Sequence, residues 1–415
     1  MTRWQRWAGP GPAAFLAALL LASGCAAPGE PADTAAQDIR RALDRRAAAV
    51  VDRDESAYLA ALDPVAASLR AAERREFANL AQVPLRSWEY RLTALDRTSA
   101  ERATAEVELR YRFDGYDDAP VKAAERLDLV RRDGRWYVAA EHPGSGGGRQ
   151  FWEQGEVTVV RGARSLVLGA GQDEQRLRAM ADAADRAVQA ADRAWPGRWA
   201  RRLVVLVPPS LDSMGSLLGA PAAGYRGIAA VTTGKTGGSG AAPADRVIVN
   251  PEAYALLGGF GQQIVLTHEA AHVATRADTS AATPMWLSEG FADWAAYRGT
   301  GRTASEAAPE LGRAVRKMDL PTALPTDQEF GFGADAEADA EADADTLARS
   351  YEGGWLACAL IAQEWGEERL TAFYRAVGGH GRREGAVEKA MHEVLDTTPE
   401  DFTARWRAYV RERLA

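Results

Sequence analysis

His268-Glu269-Ala270-Ala271-His272 decides how this chain is read, together with Trp286-Leu287-Ser288-Glu289-Gly290-Phe291-Ala292-Asp293 downstream. Residues four apart share one face of a helix, so the two histidines of the pentad present two imidazoles to the same point. Glu289, seventeen positions after His272 on a second expected helix, supplies a third, oxygen donor. Two nitrogens and one oxygen, with the fourth position left to water, make a donor set that suits zinc. Glu269 sits one position round from the first histidine, free to act on that water.

The flanking residues support this reading. Ala270 and Ala271 are small, so the helix can pack closely on one side while its histidine face stays toward a cleft. Trp286, Leu287, Phe291 and Trp294 crowd Glu289, and a buried carboxylate is costly unless it meets a cation. Asp293 lies four residues after Glu289, on the same face. A carboxylate there can accept the free ring N–H of a zinc-bound histidine and fix its tautomer; His268 is the expected partner.

Outward from the pentad, the sequence divides into several stretches. Hydrophobic residues make up 47% of the 415 and charged residues 26%, with a formal net charge of -8. That is ordinary for a folded protein with a sizeable core, and the charge argues against nucleic acid as a partner. Residues 1–24 carry a charged start (Arg3, Arg6) and an uncharged apolar run from Ala13 to Ala22, the pattern of a signal peptide. Leu21-Ala22-Ser23-Gly24-Cys25 resembles a bacterial lipobox, which makes Cys25 the expected lipid-modified residue and 25–37 a polar tether. An anchor of this kind holds a protein at a membrane without spanning it and implies the extracytoplasmic face of a bacterial cell membrane. The other cysteine, Cys358, lies in an apolar helical run and is expected to be a buried core residue.

Residues 38–142 read as one α+β domain. Helical stretches at Ile39–Ala60 and Ala66–Leu80 precede four alternating segments. In the second of these, Glu106, Glu108 and Arg110 interleave with Val107, Leu109 and Tyr111, the signature of half-buried antiparallel strands. Asp133-Gly134 is a hairpin signal. The element order and the ending Asp133-Gly134-Arg135-Trp136-Tyr137-Val138 resemble the nuclear-transport-factor-like, or SnoaL-like, cone fold. The strands offer no paired Asp and His, so a spacer or binding module is expected. His142 to Gly148 reads as a linker.

The second domain is expected over 150–415. Residues 150–300 hold short strands, a long helix from Asp173 to Trp195, an apolar strand at Leu203–Val207, strands at Tyr225–Thr233 and Arg246–Asn250 around a Gly-rich loop (Gly234–Ala242), and then the two site helices. Residues 301–415 form a helical lobe interrupted by an acidic Ala/Asp/Glu segment at 334–346, expected to be a solvated loop.

The pentad and the Trp286–Asp293 segment resemble the gluzincin peptidases, in particular the thermolysin and zinc-aminopeptidase group and the compact peptidase MA-like domains. The resemblance implies zinc held by His268, His272 and Glu289, Glu269 as general base and then proton shuttle, and Asp293 behind a ligand histidine. Tyr351, in Ser350-Tyr351-Glu352-Gly353-Gly354, stands about sixty residues after Glu289, where aminopeptidase-type relatives place the tyrosine that stabilises the oxyanion; His380 and His392 are weaker candidates. The Gly-x-Met-Glu-Asn segment with which zinc aminopeptidases hold a free N-terminus has no counterpart in Arg246-Val247-Ile248-Val249-Asn250-Pro251-Glu252, where only Glu252 could serve. The expectation is therefore a lipid-anchored zinc endopeptidase acting on a peptide or protein, with Gly227–Thr233 or Arg246–Asn250 as the strand that pairs with substrate. The alternative is a non-catalytic envelope protein that binds through its cone domain. Hydrolysis of another amide or an ester is a third reading.

Overall fold

The computed structural model describes residues 34–233, 244–330 and 340–415, with side chains from 344 onward in the last stretch. The signal segment, Cys25, the Gly-rich loop Gly234–Ala242 and the start of the acidic segment lie outside the described residues. The fold is α+β, with two small sheets and a helical C-terminal lobe.

Helix α1 (Thr34–Asp52) starts inside the expected tether. It ends at Arg53, which adopts a positive φ of 59°. The short α2 (Glu55–Leu59) follows, its first turn capped by the Asp54 carboxylate, which accepts from Ala57 N, and then α3 (Ala67–Gln82). The helices lie against a four-stranded antiparallel sheet in sequential order, β1 (Leu85–Arg97), β2 (Arg102–Phe113), β3 (Val121–Arg132) and β4 (Arg135–Pro143). In β2 the odd-numbered positions from Ala103 to Phe113 are buried, as a period of two requires. Asp133 and Gly134 both have positive φ, 49° and 78°, the backbone of a tight hairpin turn.

The second sheet runs β5-β6-β7-β9-β8, built from β5 (Val157–Arg161), β6 (Ser165–Ala170), β7 (Leu203–Val207), β8 (Ala230–Thr233) and β9 (Arg246–Val249). β6, β7 and β9 are parallel; β5 and β8 flank them antiparallel. The parallel strands are buried on both faces, so they read as unbroken apolar runs. Their alternate side chains serve two cores. Val167, Val205, Val207, Val247 and Val249 join the core of the helical part. Leu166, Leu168, Val204, Leu206 and Ile248 join the core of the cone-like domain.

The sheet is therefore a wall shared by both cores, and β4 takes up the first two residues of the linker expected at His142–Gly148. His142 and Pro143 belong to β4 and pair with Arg126 and Glu125, and Gly144 N donates to Ala124 O. A buried ion pair also crosses the junction: Arg246 at the start of β9 donates twice to Asp117, at 2.7 and 2.6 Å. The absence of an Asp/His pair in the cone was also a misreading, because His142 Nε2 lies 3.4 Å from Asp128 Oδ2. Both side chains are partly exposed, at 42% and 45%.

Helix α4 (Glu174–Ala194) covers one face of the second sheet, capped by Asp173, which accepts from Arg176 N. The remaining helices are α5 (Leu211–Leu218), α6 (Pro251–Leu256), α7 (Gly259–Thr275), α8 (Met285–Tyr297), α9 (Ala304–Ala307), α10 (Pro309–Arg316), α11 (Ala340–Glu364), α12 (Glu367–Gly378), α13 (Ala386–Ala390) and α14 (Pro399–Leu414). Three expectations change here. The stretch expected as a strand from Tyr225 begins only at Ala230, with a 3-10 turn at Ala222–Tyr225 before it. Strand β9 is interior, so β8 is the edge. The acidic segment is helical from Ala340; its alanines favour helix strongly enough for like charge alone not to make a loop. No helix among the described residues is long and apolar enough to cross a membrane.

Candidate metal centre

The pentad lies in α7. Ala270, Ala271 and Ala274 are buried where α7 packs on α4, whose inner face carries Ala183, Ala184, Ala187 and Ala191. Gln263 fastens the pair by donating to Ala183 O at 3.1 Å. This small-residue seam fixes the rotation of α7 and turns His268 and His272 the other way, toward α8. The N-terminus of α8 is held from a distance: Met285 N donates to Asp327 at 2.9 Å, an acidic group where the helix dipole favours one. Helix α11 comes so close to α8 that a Cβ on Gly290 would stand 2.2 Å from Gly354 O, and one on Gly354 2.6 Å from Trp286 O. Two glycines are thus the condition for bringing Tyr351, one turn before Gly354, up to the histidines.

The three expected ligands converge. His268 Nε2 and His272 Nε2 are 3.0 Å apart, and Glu289 Oε2 lies 3.1 and 3.2 Å from them. Among the described residues this is the one group of three His, Cys, Asp or Glu side chains that could hold a metal ion. A tetrahedral zinc ion with bonds of about 2.0–2.1 Å keeps its donors about 3.3–3.4 Å apart, so the donor set fits zinc with little adjustment. Asp293 Oδ1 is 2.8 Å from His268 Nδ1, which directs Nε2 of that ring to the centre.

The electrostatics describe a place made for a cation. Burial pushes the His268 imidazole down, but Asp293 and Glu289 outweigh it and hold its pKa well above the ordinary value. Burial pushes Glu289 up, and the two histidines overcome it and hold the carboxyl well below the usual range. Glu289 is 8% exposed, and a buried carboxylate of this kind demands positive charge beside it.

Glu269 is buried next to the cluster, and its Oε2 accepts a hydrogen bond from Thr232 Oγ1 at 2.5 Å. Thr232 lies on the edge strand β8. No local pattern signals this contact, because it joins positions 37 apart through sheet order alone. The Tyr351 ring is 6.3 Å from that of His268 and edge-on to Phe330 at 5.2 Å. Burial, followed by the charges of Glu289, Asp293 and Glu269, raises its hydroxyl pKa well above the ordinary value, so it is a proton-bearing donor. Its neighbour Glu352 caps α10 by accepting from Leu311 N at 2.5 Å, which fixes this part of α11.

The other candidates lie elsewhere. His380 Nδ1 is occupied by the Arg382 carbonyl at 2.7 Å. His392 is exposed, beside Trp365 and Arg405. Glu252 is exposed and accepts from Leu211 N at 3.2 Å, a structural use. Cys358 is fully buried with a free thiol.

No protein-family model matches the sequence, and a search of curated proteins finds no match. Solved structures similar to this chain include an NTF-2-like protein of unknown function from Shewanella oneidensis MR-1, 13% identical, over 26% of this chain and 98% of that one, with a TM-score of 0.23. They also include an M1 zinc metallopeptidase from Deinococcus radiodurans, 14% identical over 76% of this chain, TM-score 0.35, and yeast LTA4 hydrolase, 11% identical over 79%, TM-score 0.37. The chain spans 62% and 61% of the length of those two proteins.

Proposed function

We propose that this chain is a zinc-dependent peptidase, cutting within peptides at the cell envelope, to which lipid on Cys25 anchors it. The observation that carries the catalytic part is the convergence of His268, His272 and Glu289 at 3.0–3.2 Å with Asp293 behind the first histidine and a further carboxylate outside the trio, Glu269, alongside. A purely structural trio would not need the second carboxylate, buried and held by a threonine on an edge strand.

His268, His272 and Glu289 would hold the ion. Zinc, when bound, polarises the scissile carbonyl and makes water a better nucleophile. The chain's own residues do the rest. The edge of β8, which pairs with no further strand among the described residues, offers backbone N–H and C=O groups to an extended peptide. Glu269, oriented by Thr232, accepts a proton as water adds to the carbonyl carbon. It delivers that proton to the nitrogen as the C–N bond breaks, giving a free carboxylate and an amine. The Tyr351 hydroxyl donates to the oxyanion of the tetrahedral stage. With no amine-anchoring carboxylate free at the start of α6, the cleft is read as open to chain interiors.

The test is cleavage of a peptide library by the purified protein and by Glu269→Gln. The proposal expects internal cuts by the wild type and a loss of about 10²–10⁴-fold in the variant, with metal content unchanged. Equal cleavage by both proteins would remove Glu269 as the base; no cleavage of any peptide by the metal-loaded wild type would favour the non-catalytic reading.

A further inference from the structure

A cavity of about 680 Å³ lies in the cone-like domain between α3 and the first sheet, roofed by residues 148–156 of the connector to the second sheet. The roof is pinned. Asn79 donates to Trp152 O and Gly155 O at 2.7 and 2.8 Å and accepts from Val157 N at 3.0 Å. The volume is that of a small-molecule site.

Glu73, Glu76, Glu125, Glu141 and Glu153 line the walls. Beneath them is one fully buried cation, Arg46, whose Nη2 meets Glu73 at 2.8 Å and Glu141 at 2.6 Å. The other basic lining groups, Arg75 and Arg149, are exposed at the rim with Glu156, and His142 stands nearby on β4. Among the described residues, neither Glu76 nor Glu125 forms an ion pair. Trp88, Tyr90 and Trp152 are the aromatic members of the lining and are buried. Trp88 and Trp152 stand 5.0 Å apart, and Tyr90 already holds the Arg46 guanidinium 5.5 Å from its ring centre. Trp88 is 6% exposed and its indole N–H is buried.

We propose that this cavity is a binding site for a small organic cation, an amine or guanidine whose charge meets the Glu76 and Glu125 carboxylates and whose body stacks on Trp88 and Trp152. Electron-rich ring faces attract such cations. A bare metal ion does not suit the site. Among the described residues, only the His268 cluster brings three ligand atoms within 4.8 Å of one another, whereas these carboxylates are dispersed over a cavity. Burial, then the neighbouring Glu141, push Glu125 up to about 8; burial pushes Glu141 up to about 7, with Arg46 opposing. Glu73 and Glu153 add repulsion to both. A positive ligand would relieve it, so binding strengthens as pH rises from about 6 to 8.5. This site stands independently of the zinc reading.

Calorimetric titration of the full-length protein at pH 8.5 with cadaverine and with agmatine tests it, with glutarate and calcium as the contrasting arms. The expected result is saturable binding of at least one of the two cations with Kd below about 1 mM, no binding of glutarate, and at least about tenfold weaker binding in Glu125→Gln. Glu125 has no ion partner to lose, so that variant keeps its fold and its melting temperature does not fall. Absence of saturable binding by both cations, undiminished binding in Glu125→Gln, or tight calcium binding without amine binding would overturn the assignment.

Discussion

Around His268 and His272, Glu289 and Asp293 each meet an imidazole; in the cone-like domain, Glu76 and Glu125 meet no cation among the described residues. In the first region the ligand atoms sit within 3.0–3.2 Å of one another, and the carboxylate is held ionised. In the second, six glutamates line a cavity of about 680 Å³, and Glu76, Glu125 and Glu141 are pushed toward the neutral form. The difference lies in spacing. Donors packed to the size of one ion are complete once that ion binds, whereas carboxylates set apart across a void call for a larger, extended positive body. Both arrangements are expensive without their partners.

Four changes would break or sharpen this contrast. The largest effect is expected for Glu269→Gln, which should lower peptide turnover by about 10²–10⁴-fold and keep the metal, measured by steady-state kinetics beside metal analysis. Next is Arg46→Met, which leaves Glu73 and Glu141 without their shared guanidinium. Breaking a buried pair from one side costs about 3–5 kcal/mol, to be read from denaturant unfolding. A near-neutral change would mean that Glu141 is already protonated. Tyr351→Phe should reduce kcat by about a hundredfold, the scale of one oxyanion donor, with little change in KM; an unaltered kcat would return Tyr351 to packing.

The smallest effect is a pH dependence. Glu125 is pushed up to about 8 in the fold by burial and Glu141, against about 4.3 in an unfolded chain. Between these values the folded state binds more protons, so stability falls as pH rises through that window. Thermal melts at pH 5 and pH 8.5 should therefore differ less in Glu125→Gln than in the wild type. Parallel pH profiles would mean that Glu125 is solvated in both states.

The two regions also differ in how far they could be read in advance. His268, Glu269, His272, Glu289 and Asp293 announce their arrangement because helix geometry sets it locally: positions four apart must share a face, and only the meeting of α7 with α8 is long-range. The cone cavity gave no such sign. Glu125 and Glu141 sit in alternating strand patterns that look like solvated faces, and Glu73, Glu76 and Glu153 come from α3 and the connector. Only the closure of α3 and residues 148–156 over the sheet turns those faces inward. The same limit explains Thr232 and the edge position of β8, since the order β7-β9-β8 is a property of pairing that no strand's sequence states. It also explains the shared sheet. The apolar runs of β6, β7 and β9 showed that both faces are covered, but not that the cone covers one of them.

The most direct test of the central claim is the metal content of purified protein after zinc incubation and dialysis, with His272→Ala alongside and circular dichroism to verify folding. The account predicts about one zinc per wild-type chain and almost none in the variant. A folded wild-type chain that retains no zinc, or a variant that retains as much as the wild type, would contradict it.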